Sequence, residues 1–128
     1  MIEFYLEYPP SVNNYYVRTK YGTMVGKVGK AFRERIIESI QEQLGPFDPL
    51  DQRLYVAMVL FPPDKRKRDL DNTQKALLDA IKHAGVYVDD EQIDQLTIYR
   101  GATVSGGKVY VQVGDAGPII REGSELII

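Results

Sequence analysis

The sequence predicts one α/β (α+β) domain in which a mixed β-sheet carries packed helices. Three patterns predict it. Ile2, Phe4 and Leu6 alternate with Glu3, Tyr5 and Glu7, the period of a half-buried strand. Val28, Phe32, Ile36 and Ile40 recur every four residues, with Ile37 and Leu44 beside them, the period of an amphipathic helix. Leu54 to Phe61 is a nearly continuous apolar run, as expected of a central strand.

The first strand ends at Pro9-Pro10-Ser11. Val12 to Gly26 holds Asn13, Asn14, Tyr15, Tyr16, Arg18, Lys20 and Tyr21, and reads as a loop with a short hairpin around Gly22. A helix from about Gly26 to Leu44 closes at Gly45-Pro46. Residues 47–52 are a turn-rich connection, and Pro62-Pro63 stops the strand that follows. A second helix, from about Leu70 to Ala84, carries Leu77, Ala80, Ile81 and Ala84 as its apolar stripe, with Gly85 as terminator. Asp69 or Asp71 can cap it, and in the latter case Gln74 completes a capping box. Val86-Tyr87-Val88 leads into Asp89-Asp90-Glu91. Leu96–Thr103 and Lys108–Val113 read as two strands joined by Ser105-Gly106-Gly107. The domain is expected to span 1–115, with 116–128 as a C-terminal tail. The Ile119-Ile120 and Ile127-Ile128 pairs of that tail are suited to docking.

Composition narrows the chemistry. The 128 residues suit one domain, and 44% apolar content is enough for one modest core. There is no cysteine, which excludes disulfides, thiolate metal sites and a Cys nucleophile. His83 is the only histidine, which excludes a multi-His zinc site; near a helix end it reads first as a dipole partner. Any metal must therefore be held by oxygen, which points to magnesium or manganese. The opening Met1–Leu6 lacks the segments of a secretory signal, and no apolar run approaches membrane-spanning length. A cytoplasmic protein with no membrane partner is expected. The net charge of −2 argues weakly against nucleic-acid binding, but its distribution matters more than its sum.

Asp69-Leu70-Asp71-Asn72-Thr73-Gln74-Lys75 is the most informative segment. Asp71, Lys75 and Asp79 are spaced by four and share one helix face, roughly 130° from the apolar stripe. A second acidic group, Asp89-Asp90-Glu91, follows the same helix. That helix is about 20 Å long, so the chain must turn back for Asp90 to meet Asp71. Val86–Val88 can supply about 10 Å of the return. Carboxylates brought together repel, and a divalent cation resolves the repulsion. It can also polarise a phosphoryl oxygen and activate water, while a lysine beside it stabilises charge building on the phosphate. The plainer reading is that the first aspartates cap and Asp71–Lys75 is an ordinary surface pair. Asp89–Glu91 would then be a solvated turn or the cap of another short helix. Spacing alone favours capping.

The basic block Lys65-Arg66-Lys67-Arg68 stands directly before the acids. It is either a solvated loop or the phosphate-attracting surface that a nuclease needs beside its acids. Tyr15, Tyr16 and Tyr21, interleaved with Arg18 and Lys20, suit stacking on unpaired bases, although such tyrosines more often anchor a loop.

Taken together, these segments resemble the RusA family of Holliday junction resolvases, the crossover junction endodeoxyribonucleases. Pro9–Tyr16 resembles its N-terminal loop, Lys65–Lys75 its basic-acidic core motif, and Ala84–Asp90 its second acidic motif. The resemblance covers roughly residues 4 to 113. It implies a RusA-like fold and a homodimer that makes paired symmetric nicks in branched DNA, using magnesium or manganese in its place. Carried over by position, it puts the essential carboxylates on Asp69, Asp71 and Asp90 and the essential lysine on Lys75. Asp89 is the neighbouring acid that can join the metal site. Lys65, Arg66, Lys67, Arg68, Asn13, Asn14, Tyr15, Arg18 and Lys20 become the expected DNA contacts, positioning the backbone rather than reading sequence. Two other functions remain open on the residues: a non-catalytic junction-binding module, and a metal-dependent nuclease with another nucleic-acid target.

Overall fold

In the computed structural model, residues 1–117 and the short strands Arg121–Glu122 and Glu125–Leu126 are described. The alternation at the N-terminus becomes strand β1 (Ile2–Leu6), with Phe4 and Leu6 buried. A one-turn helix α1 (Val12–Tyr15) follows where a loop was expected, because Ser11 O accepts from both Asn14 N and Tyr15 N. The anticipated hairpin is β2 (Tyr16–Thr19) and β3 (Gly22–Val25), turning at Gly22. Helix α2 (Lys27–Leu44) ends at Gly45, as its sequence predicts.

The buried stripe of α2 is Gly29, Phe32, Ile36 and Ile40. Val28, expected to open that stripe, is exposed. The reason is a close crossing: a Cβ on residue 29 would sit 2.5 Å from Tyr15 O, so only glycine lets α2 pass under the end of α1. Each of Phe32, Ile36 and Ile40 contributes about 1.5–3 kcal/mol by burial.

Strand β4 (Leu54–Phe61), helix α3 (Asp71–His83), strand β5 (Ile93–Arg100) and strand β6 (Lys108–Asp115) complete the frame. The four-stranded sheet is mixed, in the order β1-β6-β4-β5, with β4 parallel to β5 and antiparallel to β6. The β5 and β6 strands, adjacent in sequence, are therefore not partners; β4 lies between them. On β4, Leu54, Val56, Met58 and Leu60 are buried while Tyr55, Ala57, Val59 and Phe61 are half-buried. The apolar run is a one-sided strand with a thinly covered second face.

The outer edge of β1 has its own cover. Gln43 of α2 accepts from Tyr5 N at 2.8 Å and donates to Tyr5 O at 2.6 Å, replacing the strand that would otherwise pair there. Strands β7 (Arg121–Glu122) and β8 (Glu125–Leu126) pair with each other within the expected tail. The Ile119-Ile120 and Ile127-Ile128 pairs lie outside the described residues. Among the described residues, no helix is long and apolar enough to cross a membrane.

Candidate active site

The basic block is a stapled loop. After Pro62-Pro63, the Asp64 carboxylate accepts from Arg68 Nη1 at 2.7 Å and Arg66 Nη2 at 3.1 Å, and also from Arg66 N at 3.0 Å. Arg68, and then Arg66, hold the Asp64 carboxyl well below the usual carboxylate range. The Arg68 guanidinium also lies 5.9 Å over the Tyr8 ring, and its main-chain O accepts from Arg100 at 2.8 Å. Half of the block is thus committed to shaping the loop. Lys65 and Lys67 are exposed and make no ion pair among the described residues.

This loop delivers Asp69 and Asp71 to the start of α3. Both are exposed. Neither caps the helix, since Leu70 stands at the N-cap with no side-chain cap bond. The capping expectation fails because Leu70 is already helical (φ −61°, ψ −36°), which carries Asp71 into the first turn. Both carboxylates are left without a protein partner among the described residues. One turn on, Lys75 is exposed, with its Nζ 4.9 Å over the Tyr16 ring.

Asp79, the third member of the expected face, turns inward instead. It pairs with Arg33 of α2 at 2.7 Å and accepts from the Tyr15 hydroxyl, which also receives Arg33 Nε at 3.2 Å. His83 stands 3.7 Å from its other oxygen. Tyr15, one of the expected DNA contacts, is fully buried in the single chain. Burial, and then the Asp79 carboxylate, push its hydroxyl well above the ordinary tyrosine range. Of the remaining candidates, Asn13 and Asn14 are exposed on α1, and Arg18 and Lys20 are exposed on the hairpin.

Asp89 and Asp90 lie beyond the other end of α3. A turn of 3₁₀-helix (Asp90–Gln92) starts at Asp89, the short-helix alternative left open by the sequence. Gln92 organises it. Its Oε1 accepts from Val88 N at 2.9 Å and Asp89 N at 2.8 Å. Its Nε2 donates to Leu50 O and Gln52 O, both at 2.9 Å. Asp89 lies 3.6 Å from Lys82. The carboxyl of Asp90 is shifted upward, first by desolvation; the Tyr87 hydroxyl and Lys82 oppose this, and Asp79 and Asp89 reinforce it.

The carboxylates therefore do not converge within one chain. Tyr87, beside Asp90, donates its hydroxyl to Leu78 O at 2.9 Å, which places Asp90 near the Leu78–Asp79 level of the helix. From Asp71 to Asp79 the helix rises about 12 Å, far beyond the span of one ion's ligands. Among the described residues, no three acids or histidines are grouped closely enough to hold a metal ion. One chain alone does not fit the expected metal.

The raised Asp90 carboxyl gives a measurable consequence. A group whose pKa is higher in the folded state favours folding while protonated, and that favour is lost as pH rises through its folded pKa. In chelator, Asp90→Asn is expected to melt above wild type at neutral pH, with the gap closing as pH falls below the ordinary carboxylate range. A lower melting point for the variant at pH 7 would overturn this account of Asp90.

Two organising residues escaped the sequence reading. Gln92 carried a readable signal, since Asp89-x-x-Gln92 has capping-box spacing. Arg33 carried none; its partner Asp79 lies 46 positions away.

With this geometry in view, comparison with known proteins is decisive. The profile of the family Endodeoxyribonuclease RusA matches residues 7–114. The chain belongs to the RusA family. A relative named crossover junction endodeoxyribonuclease rusA, from Enterobacteria phage HK97, is 37% identical over 112 residues, covering 87% of this chain and 92% of its own. The protein of that name from Escherichia coli K12 is 35% identical over 115 residues, 88% of this chain and 92% of its own. That of Enterobacteria phage 82 is 34% identical over 115 residues, with the same coverage. The RusA match contains α1, the stapled loop, α3 and the Gln92 turn, so every segment described above lies inside it. RusA family members are endodeoxyribonucleases, hydrolases acting on DNA.

Proposed function

We propose that this protein is a crossover junction endodeoxyribonuclease, a metal-dependent homodimer that makes paired symmetric nicks in four-way DNA junctions. The observation that carries this reading is a corner of uncommitted charge. Among the described residues Asp69 and Asp71 have no protein partner, and they stand beside Lys75 and Lys67, with Lys65 on the same loop. Unpaired carboxylates next to unpaired lysines contribute little to a fold; they suit a phosphodiester and a cation. Lys65 and Lys67 attract the backbone, and Lys75, steadied over Tyr16, offers charge to the phosphate.

Homodimerisation answers the separation of the acids. A two-fold arrangement that sets the Asp89–Asp90 turn of one copy against the Asp69–Asp71 end of the other would assemble the set without moving either element. It would also yield two identical sites, as paired nicks in a two-fold junction require. Magnesium, with manganese as a substitute, suits an all-oxygen set.

The test is cleavage of a synthetic four-way junction with magnesium, with manganese and with chelator, beside flap, duplex and RNA substrates at equal concentration. Paired nicks in the junction, dependent on the cation, are expected. Preference for another substrate would replace the junction reading, and cleavage unaffected by chelator would remove the metal.

A further inference from the structure

The sheet has a face that the long helices do not use. Leu54, Val56, Met58 and Leu60 of β4 point into the buried cluster shared with α2 and α3. On the opposite side one register row crosses all four strands: Tyr5 of β1, Tyr110 of β6, Val59 of β4 and Tyr99 of β5. The Tyr5 and Tyr110 ring centroids are 5.1 Å apart, and Lys108 stands 5.2 Å from the Tyr5 and Phe61 rings beside them. Tyr5 is 51% exposed and Tyr99 is 59% exposed. An apolar row running the width of a sheet is a surface that proteins normally cover.

The chain itself leads to this face. After β6, Ala116 N donates to Arg53 O at 3.0 Å, which carries the chain past the start of β4. Gly117 then meets the Gln95 side chain with both main-chain groups. Its N donates to Gln95 Oε1 at 3.3 Å, and its O accepts from Gln95 Nε2. Gln95 pairs with Tyr55 across the strands, so it belongs to the open face, on the same side of β5 as Thr97 and Tyr99. Residues 118–128 continue from that point and hold Ile119, Ile120, Ile127 and Ile128. With β7 and β8 paired, the segment doubles back, and its reach is about 15 Å at strand rise. Tyr99 lies about 13 Å from Gln95 along β5, and Val59 about 4.8 Å further sideways. The segment starts on the open face, is long enough to reach the row, and carries the apolar groups that the row needs.

We propose that residues 118–128 fold over the open face of their own chain, the isoleucine pairs covering Val59 and Tyr99. The tail is then the second layer of the sheet. This goes beyond the nuclease reading and holds whether or not the protein cuts junctions.

Two measurements on the full chain test it. The sequence has no cysteine, so introduced pairs report without background. Thr97→Cys is combined in turn with Ile119→Cys, Ile120→Cys, Ile127→Cys and Ile128→Cys, oxidised with copper phenanthroline and resolved on a denaturing gel. At least one pair should close within a single chain. The same four changes combined with Glu38→Cys, exposed on α2, should not close. In melts, Ile127→Ser with Ile128→Ser should lower the midpoint by roughly 5 °C or more. The same pair should cost less than about 2 °C in a chain already carrying Val59→Ser and Tyr99→Ser, because both changes remove one contact. Closure with Glu38→Cys as readily as with Thr97→Cys, or melting shifts that simply add, would overturn the proposal. Closure only between chains, seen as a band of doubled mass, would give the face to a second copy and overturn it equally.

Discussion

Mixed dimers carrying Asp71→Asn in one copy and Asp90→Asn in the other are expected to nick junctions that neither variant cuts alone. Each single variant removes a carboxylate from both sites and should lose about 3 kcal/mol or more of transition-state stabilisation, at least about 100-fold in rate. Asp71 is exposed and has no partner among the described residues, so Asp71→Asn should melt within about 0.5 kcal/mol of wild type, which separates lost chemistry from lost fold. The mixture distinguishes where the site is built. If each site takes Asp71 from one copy and Asp90 from the other, the mixed dimer keeps one site with both acids intact. Random pairing makes half the dimers mixed, so nicking should return to roughly a quarter of wild type, on one strand rather than both. Co-refolding the variants and resolving the products by strand checks it. No recovery would mean that both acids serve within one chain, against the separation along α3.

Gln92→Leu is expected to be the most destabilising polar change in the chain. Its side chain is nearly buried, at 7% exposure, and serves two main-chain donors and two main-chain acceptors. Leucine fills similar space and takes the Gln92 partner from all four, leaving Val88 N and Leu50 O only their own 3.3 Å bond. Even with water reaching some of them, about 3 kcal/mol is lost, lowering the melting midpoint by roughly 10 °C. The functional effect runs further than the thermal one. Gln92 ties the Asp89–Asp90 turn to residues 50–52, so cleavage should fall even at temperatures where the variant is fully folded. Denaturant melts and junction assays on the same preparation would show both effects. A variant within 0.5 kcal/mol of wild type would mean that the turn holds without this residue.

The long elements were legible because they repeat. Eighteen residues of α2 and thirteen of α3 give periodicity several chances to declare itself, and Gly45 and Gly85 end both. Four-residue α1 offers no period, and its existence depends on Ser11 O meeting two amides. Tyr15 and Tyr16 are neighbours of one type with opposite fates, and a helix-to-strand boundary between them decides which is buried. The interposition of β4 between β5 and β6 is tertiary, set by the crossover through α3 rather than by the glycines that join the strands. Of the site, the exposed acids and lysines follow from their motif. The commitment of Arg66 and Arg68 to Asp64 requires knowing the shape of the loop.

The amide of Gln43 on the outer edge of β1 has a consequence for assembly. The sheet has two edge strands, and an incoming strand can polymerise only if both accept one. With the middle of β1 already occupied, β5 is the edge without a main-chain ladder partner among the described residues, where Gly117 meets only the Gln95 side chain. In the language of step growth, each molecule is monofunctional: by strand addition it can couple once and then terminate. A chain of such units stops at two, so the protein can be concentrated on DNA without seeding a fibre.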